Sequence, residues 1–164
     1  MNKLQHVIRA EQLVNPELLD ELFSSASELE RKDKARTLEH PLRGRILATL
    51  FYEPSTRTRF SFEAAMQKLG GGVLTAENAL DNSSASKGET IADTMRIVSG
   101  YADAIALRHP QVGAAEMAAE ASPVPVITAT RMAESSRKSV HISQRRSCVS
   151  TSMAFFTSGR FNVT

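Results

Sequence analysis

Residues 51–62, with the sequence Phe-Tyr-Glu-Pro-Ser-Thr-Arg-Thr-Arg-Phe-Ser-Phe, constrain the fold of this chain more than any other segment. The apolar residues 46–52 predict a buried strand, which Pro54 ends, and the Ser55-Thr56 pair then opens a helix. A helix N-terminus presents unpaired N–H donors and about half a positive charge, so it attracts anions. Arg57 adds a planar guanidinium that matches phosphate oxygens. The segment therefore predicts a site for a small phosphorylated molecule.

The same hydroxyl groups have a purely structural interpretation. Ser and Thr before a helix are usually caps, each worth about 1 kcal/mol, and an exposed arginine is usually a solvated charge. The loop is not a Walker P-loop, because it lacks the Gly-x-x-x-x-Gly-Lys-Ser/Thr pattern. The full string Ser-Thr-Arg-Thr-Arg at residues 55–59 is more specific than a Ser-Thr cap, and it favours the anion site.

Composition indicates one ordinary domain. The chain has 164 residues, of which 41% are hydrophobic and 23% are charged, which suffices for a real core. No apolar run approaches the roughly 18 residues of a membrane span, and residues 1–6 have no targeting character. Cys148 is the single cysteine, so no internal disulfide can form. We therefore expect a cytoplasmic protein without a membrane partner.

The net charge of +2 hides an uneven distribution of charge. Residues 1–127 contain 14 Lys and Arg against 17 Asp and Glu, whereas residues 128–164 contain 6 basic residues against Glu134 alone. The second range is rich in Ser, Thr and Arg, which bury too little to fold alone, so we expect an irregular tail. A basic arm that binds nucleic acid is the alternative interpretation. Because the tail has no such motif, we expect no nucleic-acid partner.

Helix and strand patterns alternate along the body of the chain, and Asn15 followed by Pro16 predicts the start of the first helix. Apolar residues at helical spacing predict helices that contain Leu19, Leu22, Phe23 and Ala26; Phe62, Ala65, Met66 and Leu69; Ile91, Met95 and Val98; and the alanine-rich residues 113–121. Apolar runs predict strands at residues 45–52, 73–75, 104–107 and 124–127. This alternation predicts an α/β domain, an open parallel sheet of about four strands with helices on both faces.

Three polar segments follow predicted strands. They are residues 55–58, a Ser-rich loop that contains Ser83 and Lys87, and the Arg108-His109 pair. Ligands of open parallel sheets bind beyond the carboxyl ends of the strands. We therefore expect these independent segments to meet at one edge of the sheet.

Arg108 and His109 each have an alternative role. Arg108 is either reserved for a ligand or paired with a local carboxylate, Asp103 or Glu116. His109, followed by a proline, is either a site residue or a turn residue without chemistry. No metal-ligand spacing and no Ser-His-Asp order is visible, so neither metal nor nucleophilic chemistry is expected.

Several motifs resemble the aspartate/ornithine carbamoyltransferase family over about residues 3–127. They are Ser55-Thr56-Arg57-Thr58-Arg59, Leu69-Gly70-Gly71, Lys87-Gly88-Glu89-Thr90, Tyr101-Ala102-Asp103 and Arg108-His109-Pro110-Gln111. The Ser83-x-x-x-Lys87-Gly-Glu pattern resembles the mobile loop of the aspartate enzymes, which ornithine enzymes typically lack. The resemblance therefore favours aspartate over ornithine as the acceptor.

The resemblance implies a carbamoyl phosphate-binding domain. It implies that the substrate is bound by Ser55, Thr56, Arg57, Thr58 and Arg108, with Arg57, Thr58 and Arg108 acting in catalysis. Ser83 and Lys87 would come from a neighbouring subunit of a homotrimer. The implied reaction is the attack of the L-aspartate amine on the carbamoyl carbon, which releases phosphate and N-carbamoyl-L-aspartate for pyrimidine synthesis. The resemblance implies no cofactor and no covalent intermediate.

The resemblance stops after residue 127. The family continues with Asn-Ala-Gly-Asp-Gly and a His-Pro-Thr-Gln motif, whereas residues 128–132 read Thr-Ala-Thr-Arg-Met. His141 and Gln144 have a suggestive spacing, but the residues between them differ from the family's. An out-of-frame translation is one interpretation of this tail. The family's aspartate-binding domain is not found in the sequence, so we expect this chain alone to be inactive.

Overall fold

The computed structural model of the chain describes residues 5–13, 15–77, 88–129 and 157. A short 3₁₀ helix (Ala10–Leu13) precedes the regular elements, which are α1 (Pro16–Lys34), β1 (Ile46–Phe51), α2 (Thr56–Lys68), β2 (Gly72–Glu77), α3 (Ile91–Val98), β3 (Ala104–Arg108), α4 (Ala114–Ala121) and β4 (Val126–Thr128). Within these described ranges, no helix is both long enough and apolar enough to cross a membrane. Most of the predicted tail lies outside them.

The four strands form one parallel sheet in the order β2-β1-β3-β4. Helix α2 packs on one face through Phe62, Ala65 and Met66. Met95 of α3 and Ala118 of α4 pack on the other face. Because both faces are covered, the central strands are apolar nearly throughout rather than alternating. The predicted open α/β sheet is confirmed.

Helix α1 begins where its sequence signals predict. The Asn15 side chain accepts a hydrogen bond from the Glu17 amide, and Pro16 occupies the first helical position. The fully buried stripe of α1 is Leu18, Leu22 and Ala26. Leu22 and Ala26 belong to the predicted face, whereas Leu18 is buried in place of Leu19 and Phe23.

All four strands lie close to their predicted ranges, and two of them, β2 and β4, differ by two residues at one end. β2 covers six residues, twice the predicted length, because its register with β1 continues through polar residues as far as Glu77. β4 starts at Val126 rather than at Val124. Pro125 has no N–H to donate to the sheet, although its carbonyl accepts a hydrogen bond from the Ile105 amide.

An N-terminal segment pairs with the outer side of β4. Val7 forms a parallel bridge with Ile127, its amide donates to the Val126 carbonyl at 2.9 Å, and its carbonyl accepts from the Thr128 amide at 2.8 Å. No periodicity or motif predicted this contact, because a single bridging residue leaves no pattern in the sequence. At the other border, β2 is the last strand of the described sheet.

Gly70 ends α2 in a conformation that favours glycine. Its φ is +88°, and a Cβ atom there would lie 2.6 Å from the Cβ of His40. We expect Gly70→Ala to lower the free energy of unfolding by more than about 1 kcal/mol, measured by urea denaturation. The matched control is Gly72→Ala, whose Cβ would meet nothing closer than 3.7 Å. Equal stability of the two variants would contradict this expectation.

Candidate functional site

The strands are all parallel, but the order in which the chain adds them changes direction between β1 and β3. From β1 the chain moves to β2 on one side, and it later returns to place β3 on the other side. Ligands of such sheets bind in the crevice outside the carboxyl ends of the strands at this switch point. The β1–α2 loop and Arg108 both lie at this edge, because Phe51 is in register with Arg108.

The N-terminus of α2 opens directly onto the crevice. Ser55 is its N-cap residue with a φ of −158°, but its side chain makes no capping hydrogen bond. The alternative interpretation of Ser55 as a structural cap is therefore not supported, because its hydroxyl does not cap the helix. The first turn contains no acidic residue, so no carboxylate of that turn offsets the positive end of the helix dipole. Thr56 and Arg57 are exposed beside it.

The two arginines of the Ser-Thr-Arg-Thr-Arg string have different surroundings. Arg59 is only 13% exposed, and its Nε lies 3.7 Å from Oε1 of Glu63. The same Glu63 oxygen accepts a 2.9 Å hydrogen bond from the hydroxyl of the buried Thr49 in β1. Arg59 thus belongs to the packing of α2 on the sheet, whereas Arg57 extends into solvent at the crevice.

Arg108 is paired, but not with either of the carboxylates expected from the sequence. Its Nε donates to Oε2 of Glu53 at 2.9 Å, and its Nη1 donates to the Ala129 carbonyl at 3.3 Å. The side chain is 13% exposed. Glu53 lies in the β1–α2 loop, so this ion pair joins the ends of β1 and β3.

Asp103 and Glu116 have other partners, which corrects the prediction for Arg108. Asp103 precedes β3 at the amino edge of the sheet, where it accepts from Arg45 Nη1 and from the Ile46 amide, both at 2.8 Å. Glu116 accepts from Arg9 Nε at 3.0 Å, and hydrogen bonds lower the pKa of its carboxyl. Proximity along the chain suggested these two carboxylates, whereas the parallel register selects Glu53.

His109 is buried next to the ion pair. Its Nδ1 accepts a hydrogen bond from the Gln111 amide at 3.1 Å, which is a turn contact. Its ring lies 4.5 Å from the Tyr52 ring, centroid to centroid. Burial lowers the pKa of His109 below 6.5, and the opposing charge of Glu53 only partly offsets this. The interpretation of His109 as a turn residue matches this geometry.

Several sequence predictions fall on residues that the structure does not describe. Ser83 and Lys87 lie in the gap between residues 77 and 88, and His141, Gln144 and Cys148 lie beyond residue 129. The roles of Ser83 and Lys87 remain predictions. In the described part of the chain, no group of three or more His, Cys, Asp or Glu side chains could hold a metal ion.

Glu53 and Tyr52 are the site residues that sequence reasoning missed. Glu53 was visible as a charged residue directly after a buried strand, and its position before Pro54 is the signal that could have identified it. This edge of the sheet therefore carries two guanidinium groups, those of Arg57 and Arg108, together with the start of α2 and the Glu53 carboxylate, which is paired with Arg108. Such an arrangement suits an anion that can compete with Glu53 for Arg108.

Comparison with known proteins agrees with this geometry. A model of the aspartate/ornithine carbamoyltransferase carbamoyl-P binding domain matches residues 5–136. The chain belongs to this family. It is 51% identical over 127 residues to the chloroplastic aspartate carbamoyltransferase of Arabidopsis thaliana, a match that covers 77% of this chain and 32% of the plant protein. It is 48% identical over 126 residues to the aspartate carbamoyltransferase catalytic subunit of Methanocaldococcus jannaschii, covering 77% of this chain and 40% of that protein.

Solved structures give the same result. Aspartate transcarbamoylase from Trypanosoma cruzi in complex with carbamoyl phosphate superposes with a TM-score of 0.73 at 38% identity, covering 79% of this chain and 39% of that one. The M. jannaschii catalytic subunit gives a TM-score of 0.70 at 48% identity, covering 77% and 40%. The chain thus corresponds to the carbamoyl-P binding domain of aspartate carbamoyltransferases, and it spans about a third to two fifths of these relatives. The cytoplasmic location stays a prediction, since some relatives are chloroplastic.

Replacing Arg57 and Arg59 tests whether Arg57 is a surface residue and Arg59 part of the packing between α2 and the sheet. We expect Arg59→Ala to lower the free energy of unfolding by about 2 kcal/mol, because it leaves the half-buried Glu63 carboxylate without its charge partner. Arg57→Ala, at an exposed position, should change it by no more than about 0.5 kcal/mol. Urea denaturation of both variants measures this difference. A larger loss for Arg57→Ala than for Arg59→Ala would contradict the assignment.

Proposed function

We propose that the crevice between β1 and β3 binds carbamoyl phosphate through Ser55, Thr56, Arg57, Thr58 and Arg108. The observation that supports this most directly is the parallel β1–β3 register, which brings Arg108 to the same edge as the start of α2. The phosphate dianion would accept hydrogen bonds from the first amides of α2, from the two hydroxyls before Arg57, and from its guanidinium. Thr58 and Arg108 would face the carbamoyl oxygen.

The reaction proposed for the whole protein is transfer of the carbamoyl group to the amine of L-aspartate. The amine nitrogen forms a bond to the carbamoyl carbon, the bond from that carbon to the phosphate oxygen breaks, and the amine loses a proton. The products are N-carbamoyl-L-aspartate and phosphate, which is a step of pyrimidine biosynthesis. Arg57, Thr58 and Arg108 would stabilise negative charge on the carbonyl oxygen and the leaving phosphate by fixed positioning. The step itself consumes no cofactor.

The complete site needs more than the described residues. We propose that Ser83 and Lys87 act in the neighbouring subunit's site within a homotrimer, and that L-aspartate binds mainly to a second domain. Residues 1–127 would then form the carbamoyl phosphate domain, and residues 128–164 a tail, of which residues 137–164 lie beyond the family match. Coding DNA that continues the family's sequence in another frame after residue 127 would support a frameshift origin for that tail.

Two other functions are separated from this proposal by simple assays. An ornithine carbamoyltransferase-like enzyme would use ornithine as acceptor, but the Ser83-x-x-x-Lys87 pattern and the aspartate enzymes among the relatives favour aspartate. A non-catalytic domain that binds phosphate or associates with complete subunits is supported by the short span of the chain relative to its relatives. Mixing this chain with complete catalytic subunits and measuring mixed trimers tests that association.

Carbamoyl phosphate binding is expected to depend on both crevice arginines. Arg57→Ala and Arg108→Ala should each weaken binding by about tenfold or more, since a hydrogen bond to a charged group is worth about 1.5–3 kcal/mol. Titration calorimetry on the full chain measures the dissociation constants. The control is Arg96→Ala, which removes an exposed arginine from the last turn of α3. Wild-type affinity in both crevice variants would refute the proposed site.

We also expect the purified chain to form no N-carbamoyl-L-aspartate from carbamoyl phosphate and L-aspartate. The reason is that the proposed aspartate-binding groups belong to a second domain that the family match does not include. A colorimetric assay for the ureido product, with a complete aspartate carbamoyltransferase as positive control, measures this. Product formation that scales with the concentration of this chain would contradict the expectation.

A further inference from the structure

Two neighbouring pairs of residues are in contact where β1 and β3 end. The Tyr52 amide donates to the Arg108 carbonyl at 2.9 Å, which continues the ladder of the two strands by one further bond. Beyond this bond the side chains meet in pairs, Glu53 with Arg108 and Tyr52 with His109. Tyr52 and Glu53, which follow β1, therefore contact His109 and Arg108 at the end of β3. His109 lies beside the ion pair that holds Arg108.

The hydrogen bond of His109 requires a particular protonation state. Nδ1 faces the N–H group of Gln111, so it must be an acceptor, and the ring must be neutral with its proton on Nε2. His109 is 7% exposed and Tyr52 is 5% exposed, which leaves the ring little room to turn. A proton on Nδ1 would place two N–H donors, those of His109 and Gln111, opposite each other and would break their hydrogen bond.

We propose that His109 is a positioning residue for Arg108. Its neutral ring rests on Tyr52, accepts the Gln111 amide, and fixes the turn after β3 so that the Arg108 guanidinium stays at the crevice. This role rests on the proposed function, in which Arg108 binds carbamoyl phosphate. His109 itself does not touch the substrate; it acts through the backbone of the residue before it.

The charged and titratable groups around His109 set the direction of its pH dependence. They are Tyr52 of β1, Glu53 of the β1–α2 loop and Arg108 of β3, with Glu89 before α3 acting on Tyr52. Burial lowers the pKa of His109 below 6.5 in the folded chain, so the unfolded chain binds a proton first as the pH falls. The contribution of His109 to folding is complete above pH 6.5 and is lost progressively below it. Once protonated, His109 would also attract Glu53 away from Arg108.

Two substitutions of His109 by amide residues distinguish the effect of the Nδ1 hydrogen bond from the effect of the ring contact. In His109→Asn, Oδ1 takes the place of Nδ1 and can accept from Gln111, but it does not titrate. In His109→Gln, the amide lies farther out and leaves the Nδ1 position without an acceptor. Both variants lose the ring contact with Tyr52, so a difference between them isolates the hydrogen bond.

Nuclear magnetic resonance on the ligand-free full chain gives the decisive test. In the wild type, the Arg108 Nε–H signal should shift with pH at the midpoint of the His109 ring. In His109→Asn that transition should vanish. In His109→Gln the chemical shift of the Arg108 Nε–H signal should differ from the wild-type value at neutral pH. An Arg108 signal that is the same in the wild type and His109→Gln, and that ignores the His109 midpoint, would overturn the proposal.

Calorimetry with carbamoyl phosphate separates this inference from the proposed function. At neutral pH, His109→Gln should bind on the order of tenfold more weakly than His109→Asn, since small displacements of a binding group are costly. The ratio of wild-type to His109→Asn affinity should fall as the pH drops, and taking a ratio cancels the titration of the ligand itself. Equal affinities in the two variants would overturn the positioning role. If the wild type binds no carbamoyl phosphate, the proposed function fails and the Arg108 signal still decides the structural coupling.

Discussion

Direct pairing of β1 with β3 is the constraint on which the candidate site depends. Among the elements that the structure describes, two helices and a third strand separate these strands along the chain, yet their register aligns Phe51 with Arg108. Because the strands are parallel, their carboxyl ends share one edge, and the position of β2 on the far side of β1 opens the crevice there. The Arg108–Glu53 ion pair follows from that alignment.

The Glu53–Arg108 pair gives the crevice a partly neutralised charge. A guanidinium that is 13% exposed would be costly without a partner, and Glu53 and the Ala129 carbonyl supply partners. A dianion that binds Arg108, as proposed, would therefore have to displace or share the Glu53 carboxylate. Arg57 carries no such restraint, since it is exposed on the first turn of α2. The two arginines thus differ in how much reorganisation an anion requires of them.

Much of the fold was predictable because its signals are local. Apolar runs marked the strands, Asn15-Pro16 marked the start of α1, and the Ser-Thr-Arg-Thr-Arg string marked the turn into α2. The partner of Arg108 was not predictable in this way, because it depends on the register between strands that are distant in sequence. The pairing of Val7 with β4 was missed for a similar reason, since one bridging residue has no periodicity. The roles of Ser83 and Lys87 stay predictions.

The two borders of the sheet are unlike, and this affects how the chain behaves at high concentration. Along β4 the Val7 segment occupies backbone donors and acceptors that would otherwise face outward. Along β2 no described strand does so, and Leu74 on that strand is 46% exposed. Open strand borders are templates for pairing with other chains. Within the described residues, β2 is therefore the border that offers such a template, and removing residues 1–7 would expose the corresponding backbone groups of β4.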